Sequence, residues 1–165
     1  MRPPGWIAEP WPGYCCAIVR DERGRYLIER RPGDARRVPG RLTCFGGGRE
    51  RSETPEAALR RELREELGLH DDAIDALDLC WSVRLLGEFK PGRRPGGRDA
   101  PGGLIAWFAV ARRVWREGDG PPLRTEPGHE AVWIEWHELE PAPLLSSWHL
   151  AALRAERAGE REARV

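Results

Sequence analysis

Apolar positions fall in short alternating runs separated by turn residues, interrupted once by a segment with helical periodicity. Cys15 to Arg20 and Arg25 to Arg31 are strand-like, and Asp21-Glu22-Arg23-Gly24 between them is a hairpin signal. A loop with Pro32, Gly33, Pro39 and Gly40 leads to the short apolar run Leu42 to Phe45, followed by Gly46-Gly47-Gly48, a loop with almost no side-chain bulk. From 55 to 67 the period changes. Leu59, Leu63 and Leu67 form one stripe, Thr54 is placed to cap the helix start, Pro55 occupies its first turn, and Gly68 stands where a left-handed C-terminal residue is wanted. Leu79 to Glu88, Leu104 to Val114 and Ala131 to Trp136 are further strands, and Ser146 to Arg157 is a second amphipathic helix with Trp148, Ala151, Ala152 and Ala155 on its apolar face. Strands, a helix, more strands and a terminal helix describe a mixed sheet between two helices.

At 165 residues the chain is long enough for one domain. We place it at 14–157, with an extended Pro- and Trp-rich lead-in over 1–13 and a charged tail over 158–165 expected to fray. Lys90 to Gly103, rich in Gly, Pro and basic residues, is expected to be a mobile loop.

The helix carries more than its leucines. Glu62, Glu65 and Glu66 stand at i, i+3 and i+4, so they share roughly a third of the helix circumference at about 100° per residue. Like charges so placed repel unless something positive sits among them, and an all-oxygen set suits Mg²⁺ or Mn²⁺. Alone, Arg60-Arg61-Glu62-Leu63-Arg64-Glu65-Glu66 is equally an ordinary solvated face laced with ion pairs. Its surroundings decide. Gly47, Glu53, Arg61, Glu62, Leu63, Glu65, Glu66, Gly68 and Leu69 fit G-x5-E-x7-R-E-U-x-E-E-x-G-U, with U aliphatic, at every fixed position.

This segment resembles the Nudix box of the MutT/Nudix hydrolases. The resemblance implies an α/β fold, an α/β/α sandwich with a mixed central sheet, and metal-dependent hydrolysis of a pyrophosphate bond in a nucleoside diphosphate linked to another moiety. It also implies a Gly47 carbonyl at the metal, a Glu53–Arg61 brace, and metal binding by Glu62, Glu65 and Glu66. The general base stays open among Glu65, Glu62 and Glu126. Glu126 precedes the Ala131-Val132-Trp133 run, where the family often places a further metal-binding or catalytic glutamate. Glu130 is the second choice there and is counted with Arg30 and Arg31 as a substrate-binding candidate; all are weighed against plain solvated loop charges. Phe45 stands where many members have proline, and Ser52 where a glycine often stands. Members acting on diadenosine polyphosphates tend to carry a tyrosine shortly after the box, and ADP-ribose enzymes a proline. Tyr14 and Tyr26 both precede the box and the first downstream proline is Pro91, so oxidised or non-standard nucleoside triphosphates lead. The alternative is a catalytically silent domain that binds a nucleotide-like ligand as a sensor, but such domains usually have an eroded box and this one is complete.

Composition sets the remaining bounds. The 27 basic and 27 acidic residues cancel, so no global field recruits nucleic acid or an anionic membrane. Lys90 is the only lysine, so arginine supplies nearly all the positive charge, and no single arginine is assigned to phosphate on number alone; Arg36 and Arg37 join Arg30 and Arg31 as candidates. The run Leu104 to Ala111 is far below the roughly 18 apolar residues that span a bilayer. We expect a cytoplasmic protein, a monomer or homodimer, acting on a small nucleotide-like substrate. Cys15, Cys16, Cys44 and Cys80 lack metal-ligand spacing and are expected to be packed thiols. Trp107 and Trp133 are expected in the core, with Trp81 or Trp136 available to stack on a base, and His129 is expected at the surface.

Overall fold

The structure is a computed structural model that describes residues 11–87, 103–118 and 120–165. The Arg- and Gly-rich stretch from Lys90, with Arg93, Arg94 and Arg98, lies outside the described residues, as does most of the lead-in. The strands are β1 (Tyr14–Ile18), β2 (Tyr26–Arg30), β3 (Leu42–Thr43), β4 (Phe45–Gly48), β5 (Leu79–Leu86), β6 (Leu104–Ala111), β7 (Glu130–Ile134) and β8 (Glu162–Arg164). The helices are α1 (Pro55–Leu67), α2 (Asp71–Ala76), α3 (Trp136–Leu139) and α4 (Ser147–Ala158).

The main sheet has the order β4-β1-β6-β5-β8, and β3-β2-β7 form a smaller one. The main sheet is mixed: β1 runs antiparallel to β4 and parallel to β6, and β5 antiparallel to β6 and parallel to β8. Alternation along β1 sends Cys15 and Ala17 to the face covered by α1 and α2, and Cys16 and Ile18 to the face covered by α4. This is the expected α/β/α sandwich. In β5, Leu79 and Trp81 face α1 whereas Val83 and Leu85 face α4, because a register shift between Trp81 and Val83 moves the later residues to the other face.

Several expectations change. The turn at 21–24 forms a short hairpin end, with Asp21 N donating to Arg25 O, Gly24 N to Asp21 O and Leu27 N to Val19 O, and Arg20 opposite Tyr26, before the flanking strands part into different sheets. The triple glycine is not a loop. Its backbone pairs with β1 as an edge strand, Cys15 opposite Gly47 and Cys16 opposite Gly46. A Cβ on Gly46 would lie 2.2 Å from Cys15 O, so this pairing excludes a side chain. The tail does not fray either, since Ala163 is buried and β8 pairs with β5. The run expected as one strand through Trp136 ends at Ile134, and Trp136 begins the short helix α3.

The box helix spans 55–67 as predicted. Thr54 Oγ1 accepts from Ala57 N at 3.1 Å, Pro55 opens the first turn, and Gly68, at φ 66°, returns its N–H to Arg64 O. Ala58, Leu59, Leu63 and Leu67 bury one face, so the glutamates are left at its border. Arg60 and Arg64 cross to Asp71 of α2, and Arg60 also to Asp75.

Candidate active site

The box glutamates meet β4. Glu66 Oε2 accepts the Gly46 N–H at 2.9 Å. Glu62 lies over Gly47 so closely that a Cβ there would stand 2.5 Å from its carboxyl carbon. Glycine at 47 is what lets this carboxylate reach the strand. Glu65, one turn from Arg61, keeps a side chain that is 55% exposed.

Arg61 supplies the positive charge. Its Nε and Nη2 take both Glu53 oxygens, at 3.0 and 3.1 Å, and Nη2 also reaches Gly48 O at 3.0 Å. Nη1 then folds back to Glu62 at 2.7 Å and Glu65 at 3.3 Å. Arg61, expected only as the brace to Glu53, thus spans the carboxylates as well as bracing the loop. The guanidinium bonds hold Glu53 below its ordinary pKa, and burial opposes them. Glu62 is pushed upward: burial is the largest cause, the Arg61 bond opposes it, and the Glu65 charge adds to it. Glu66 is raised furthest, to about 8, by burial first and then by the charge of Glu29.

Glu29 was not anticipated. It is 1% exposed, in β2, yet Arg31 Nη1 donates to it at 2.8 Å, Thr43 Oγ1 at 3.0 Å, and His129 Nδ1 also bonds to it. The signal was in the alternation: Leu27 and Glu29 share a strand face, and Leu27 is core, so an inward carboxylate follows from period two. His129, expected at the surface, is tied inward by this bond. Its Nε2 lies 3.9 Å from Glu126, whose side chain is 57% exposed. The loop carrying Glu126 is anchored to the end of α1 by Arg124 N donating to Leu67 O, and it is turned by His129 N to Glu126 O.

The arginine candidates separate. Arg31 shares the face of Glu29, and its Nε holds Arg37 O at 3.0 Å. Arg30 points to the other face and pairs with Glu130, its cross-strand partner, at 2.9 Å with both side chains more than half exposed. Those two residues are brought to each other, not to Glu66. Arg37 lies beside Gly48 and reaches Tyr14 Oη at 3.5 Å. Trp81 is buried against Trp107, and Trp136 packs on Tyr26 under Arg157, so neither offers an open stacking surface; Trp148 packs against the core on the apolar face of α4, as expected, and also meets Tyr14. The four cysteines are free thiols, and burial raises Cys44 to about 12.

The NUDIX domain family matches residues 10–155. The chain belongs to the Nudix family. An RNA pyrophosphohydrolase of Gluconacetobacter diazotrophicus is 33% identical over 131 residues, 77% of each chain. An 8-oxo-dGTP diphosphatase of Haemophilus influenzae is 33% identical over 74% of this chain and 75% of its own. The nucleoside triphosphatase NudI of Enterobacter sp. (strain 638) is 47% identical, but over 53 residues, 32% of this chain and 37% of NudI. Among solved structures, the MutT protein from Methanosarcina mazei Go1 superimposes with a TM-score of 0.61 over 94% of this chain and all of its own, at 18% identity, a likeness of fold. The chain is therefore a Nudix hydrolase, and its relatives are named pyrophosphohydrolase, diphosphatase and nucleoside triphosphatase.

Nudix hydrolases generally use divalent metal ions. Among the described residues no three acidic, histidine or cysteine side chains already converge as a coordination set, because Glu62 and Glu65 are turned to Arg61 and Glu66 to Gly46. The donor chemistry nonetheless fits. Glu62 and Glu66 are carboxylates whose pKa values burial, and then neighbouring acidic charge, push upward, and a hard divalent cation among them would offset that cost. No helix among the described residues is long and apolar enough to cross a membrane.

Proposed function

We propose that this Nudix hydrolase cleaves the pyrophosphate bond of a nucleoside diphosphate linked to a second moiety, with an oxidised or non-standard nucleoside triphosphate as the leading substrate. The observation that carries this reading is the seating of Glu62 and Glu66 on Gly46 and Gly47, with Arg61 across the carboxylates. The relatives named for RNA pyrophosphohydrolase and 8-oxo-dGTP diphosphatase activity support it.

Glu62, Glu65, Glu66, Glu126 and the Gly47 carbonyl would hold Mg²⁺ or Mn²⁺. A divalent cation bound there supplies Lewis acidity toward the diphosphate oxygens. Glu65 and Glu126 keep side chains that are more than half exposed, and one of them takes the proton of the attacking water. Glu62 is held by Arg61 and serves the cation. Arg37, at the open side of Gly48, receives a substrate phosphate, and Arg31 fixes it through the Arg37 carbonyl. In-line attack then yields a nucleoside monophosphate and a phosphorylated remainder, or pyrophosphate when the substrate is a triphosphate.

A panel of nucleotide substrates with Mg²⁺ or Mn²⁺, read as phosphate and pyrophosphate release, tests the reading. We expect pyrophosphate from a nucleoside triphosphate and no turnover in excess EDTA. Turnover that persists undiminished in EDTA sinks the metal assignment; release of phosphate alone from a triphosphate sinks the bond assignment.

A further inference from the structure

Glu29 is the most deeply buried carboxylate among the described residues, and no step of the hydrolysis uses it. Its two oxygens are divided between different parts of the chain. Oε2 accepts from Arg31 Nη1 at 2.8 Å and from Thr43 Oγ1 at 3.0 Å, while Oε1 is met by His129 Nδ1. A carboxylate taken out of water is tolerated only where its oxygens find donors, so the bond on Oε1 is not a spare contact. An ionised carboxylate only accepts, which puts the proton of this bond on His129 Nδ1.

His129 reaches Glu29 from the turn that carries Glu126. Ala131 is the cross-strand partner of Glu29 and packs on the α1 side of the core, and His129, two residues earlier, arrives on the same side. The turn is closed upon itself. Thr125 Oγ1 donates to His129 O at 2.7 Å, His129 N donates to Glu126 O at 3.0 Å, and Gly128 takes φ 82°. Arg124 N ties its start to Leu67 O, at the end of α1. Within the turn the side chain bonded to a buried group is His129, itself 16% exposed, and its Nε2 stands 3.9 Å from the largely exposed Glu126 carboxylate. The anchor also adjoins the box, since Glu66 feels the charge of Glu29.

We infer that Glu29 and His129 are positioning residues: the buried carboxylate holds the imidazole, and the imidazole holds the turn that sets Glu126 in its working place beside the box glutamates. This rests on the role proposed above for Glu126. Neither side chain has to touch substrate, because a misplacement of about 1 Å at a working carboxylate already lowers turnover. Arg31 stays on Glu29 when His129 is changed, and Arg37, which receives the substrate phosphate, lies outside the turn. Loss of His129 therefore falls on kcat and not on KM.

The test uses the full chain with Mg²⁺ and the nucleoside triphosphate of highest turnover in the panel. His129→Ala should lower kcat about ten-fold or more while KM stays within about two-fold. His129→Asn, which keeps an N–H donor at the place of Nδ1, should recover most of that loss. His129→Gln fills the same space but carries its amide at the place of Nε2, so it should behave as the alanine variant and serves if that one does not fold. Glu126→Gln should lower kcat by about two orders of magnitude, and adding His129→Ala to it should cost nothing further, because the positioned group is already gone. Additive losses, a native kcat in His129→Ala, or equal damage in the Ala and Asn variants overturns the inference and leaves the hydrolytic reading intact. Native turnover in Glu126→Gln overturns it too, by removing what is positioned. Hydrogen exchange gives a readout without substrate: the amides of residues 124 and 129, bonded to Leu67 O and Glu126 O, should lose protection in His129→Ala and keep it in His129→Asn. Unchanged protection in His129→Ala overturns the anchor. Failure to hydrolyse any nucleotide would count against the proposed activity, while exchange would still decide whether His129 fixes the turn.

Discussion

Glu66 concentrates the cost of building the site. It is covered by the fold, bonded to a single backbone N–H and faces the charge of Glu29, and its pKa of about 8 expresses that strain. Glu66→Gln keeps the shape and an oxygen for Gly46 while removing the charge. Turnover should fall by about two orders of magnitude or more, the scale lost when one charge-stabilising group is removed. Stability should move the other way when no metal is present. A folded-state pKa raised above the ordinary 4.5 means that the contribution of Glu66 is complete below about pH 4.5 and is lost as pH rises through about 8. At pH 8.5 in EDTA the Gln variant should therefore be more stable than the native chain, by an order of several kcal/mol at about 1.4 kcal/mol per unit. At pH 4 the two should be close. Urea unfolding at both pH values checks this, and parallel stability at the two would refute the assigned environment of Glu66. The carboxylate itself was legible from its spacing. Glu29, whose charge faces it, was legible only as an inward position, by its alternation with Leu27; the groups that hold it there, Thr43 and His129, come to it from elsewhere in the chain.

At the scale of elements, the box helix was legible to the residue because its caps, leucine stripe and terminal glycine all agree. The glycine strand was not, since Gly46-Gly47-Gly48 has no side-chain pattern to announce β4, and its pairing is made wholly by backbone against β1. Arg61 joins the two elements, and its bonds predict how they fail. Glu53→Ala removes one bidentate partner and leaves Arg61 on Glu62, Glu65 and Gly48 O. Arg61→Ala removes all of these and leaves Glu62 facing Glu65 without a cation, so it should cost more in both stability and turnover. The double variant should be little worse than Arg61→Ala alone, with a coupling of about 1 kcal/mol or more in unfolding free energy. A double-mutant cycle measures this; additive losses would show that the two residues are not partners in solution.

For the molecule as a whole, the sheet order separates chemistry from closure. The glutamates gather at the β4 edge, whereas β8 forms the opposite edge beyond β5. Its sequence, Glu160-Arg161-Glu162-Ala163-Arg164-Val165, is too charged and too short to announce a strand, and only the return of the chain past Gly159, at φ 71°, lays it along β5. There Arg84 N donates to Arg161 O at 2.8 Å and Val165 N to Leu86 O at 3.0 Å, Arg84 pairs with Glu162, and Ala163 is 7% exposed. Deleting residues 160–165 uncovers the apolar edge around Leu85 and removes those backbone bonds, a loss of about 1–3 kcal/mol from a few net hydrogen bonds and the apolar area re-exposed. Glu62, Glu65, Glu66 and β4 lie across the sheet from the deletion, so turnover well below the melting temperature should stay within about two-fold of native. Urea unfolding and steady-state kinetics on the truncated chain test both halves. Unchanged stability would mean that the tail frays in solution, and a large loss of turnover at native-like stability would mean that the β8 edge communicates with the glutamates in a way the sheet order does not provide.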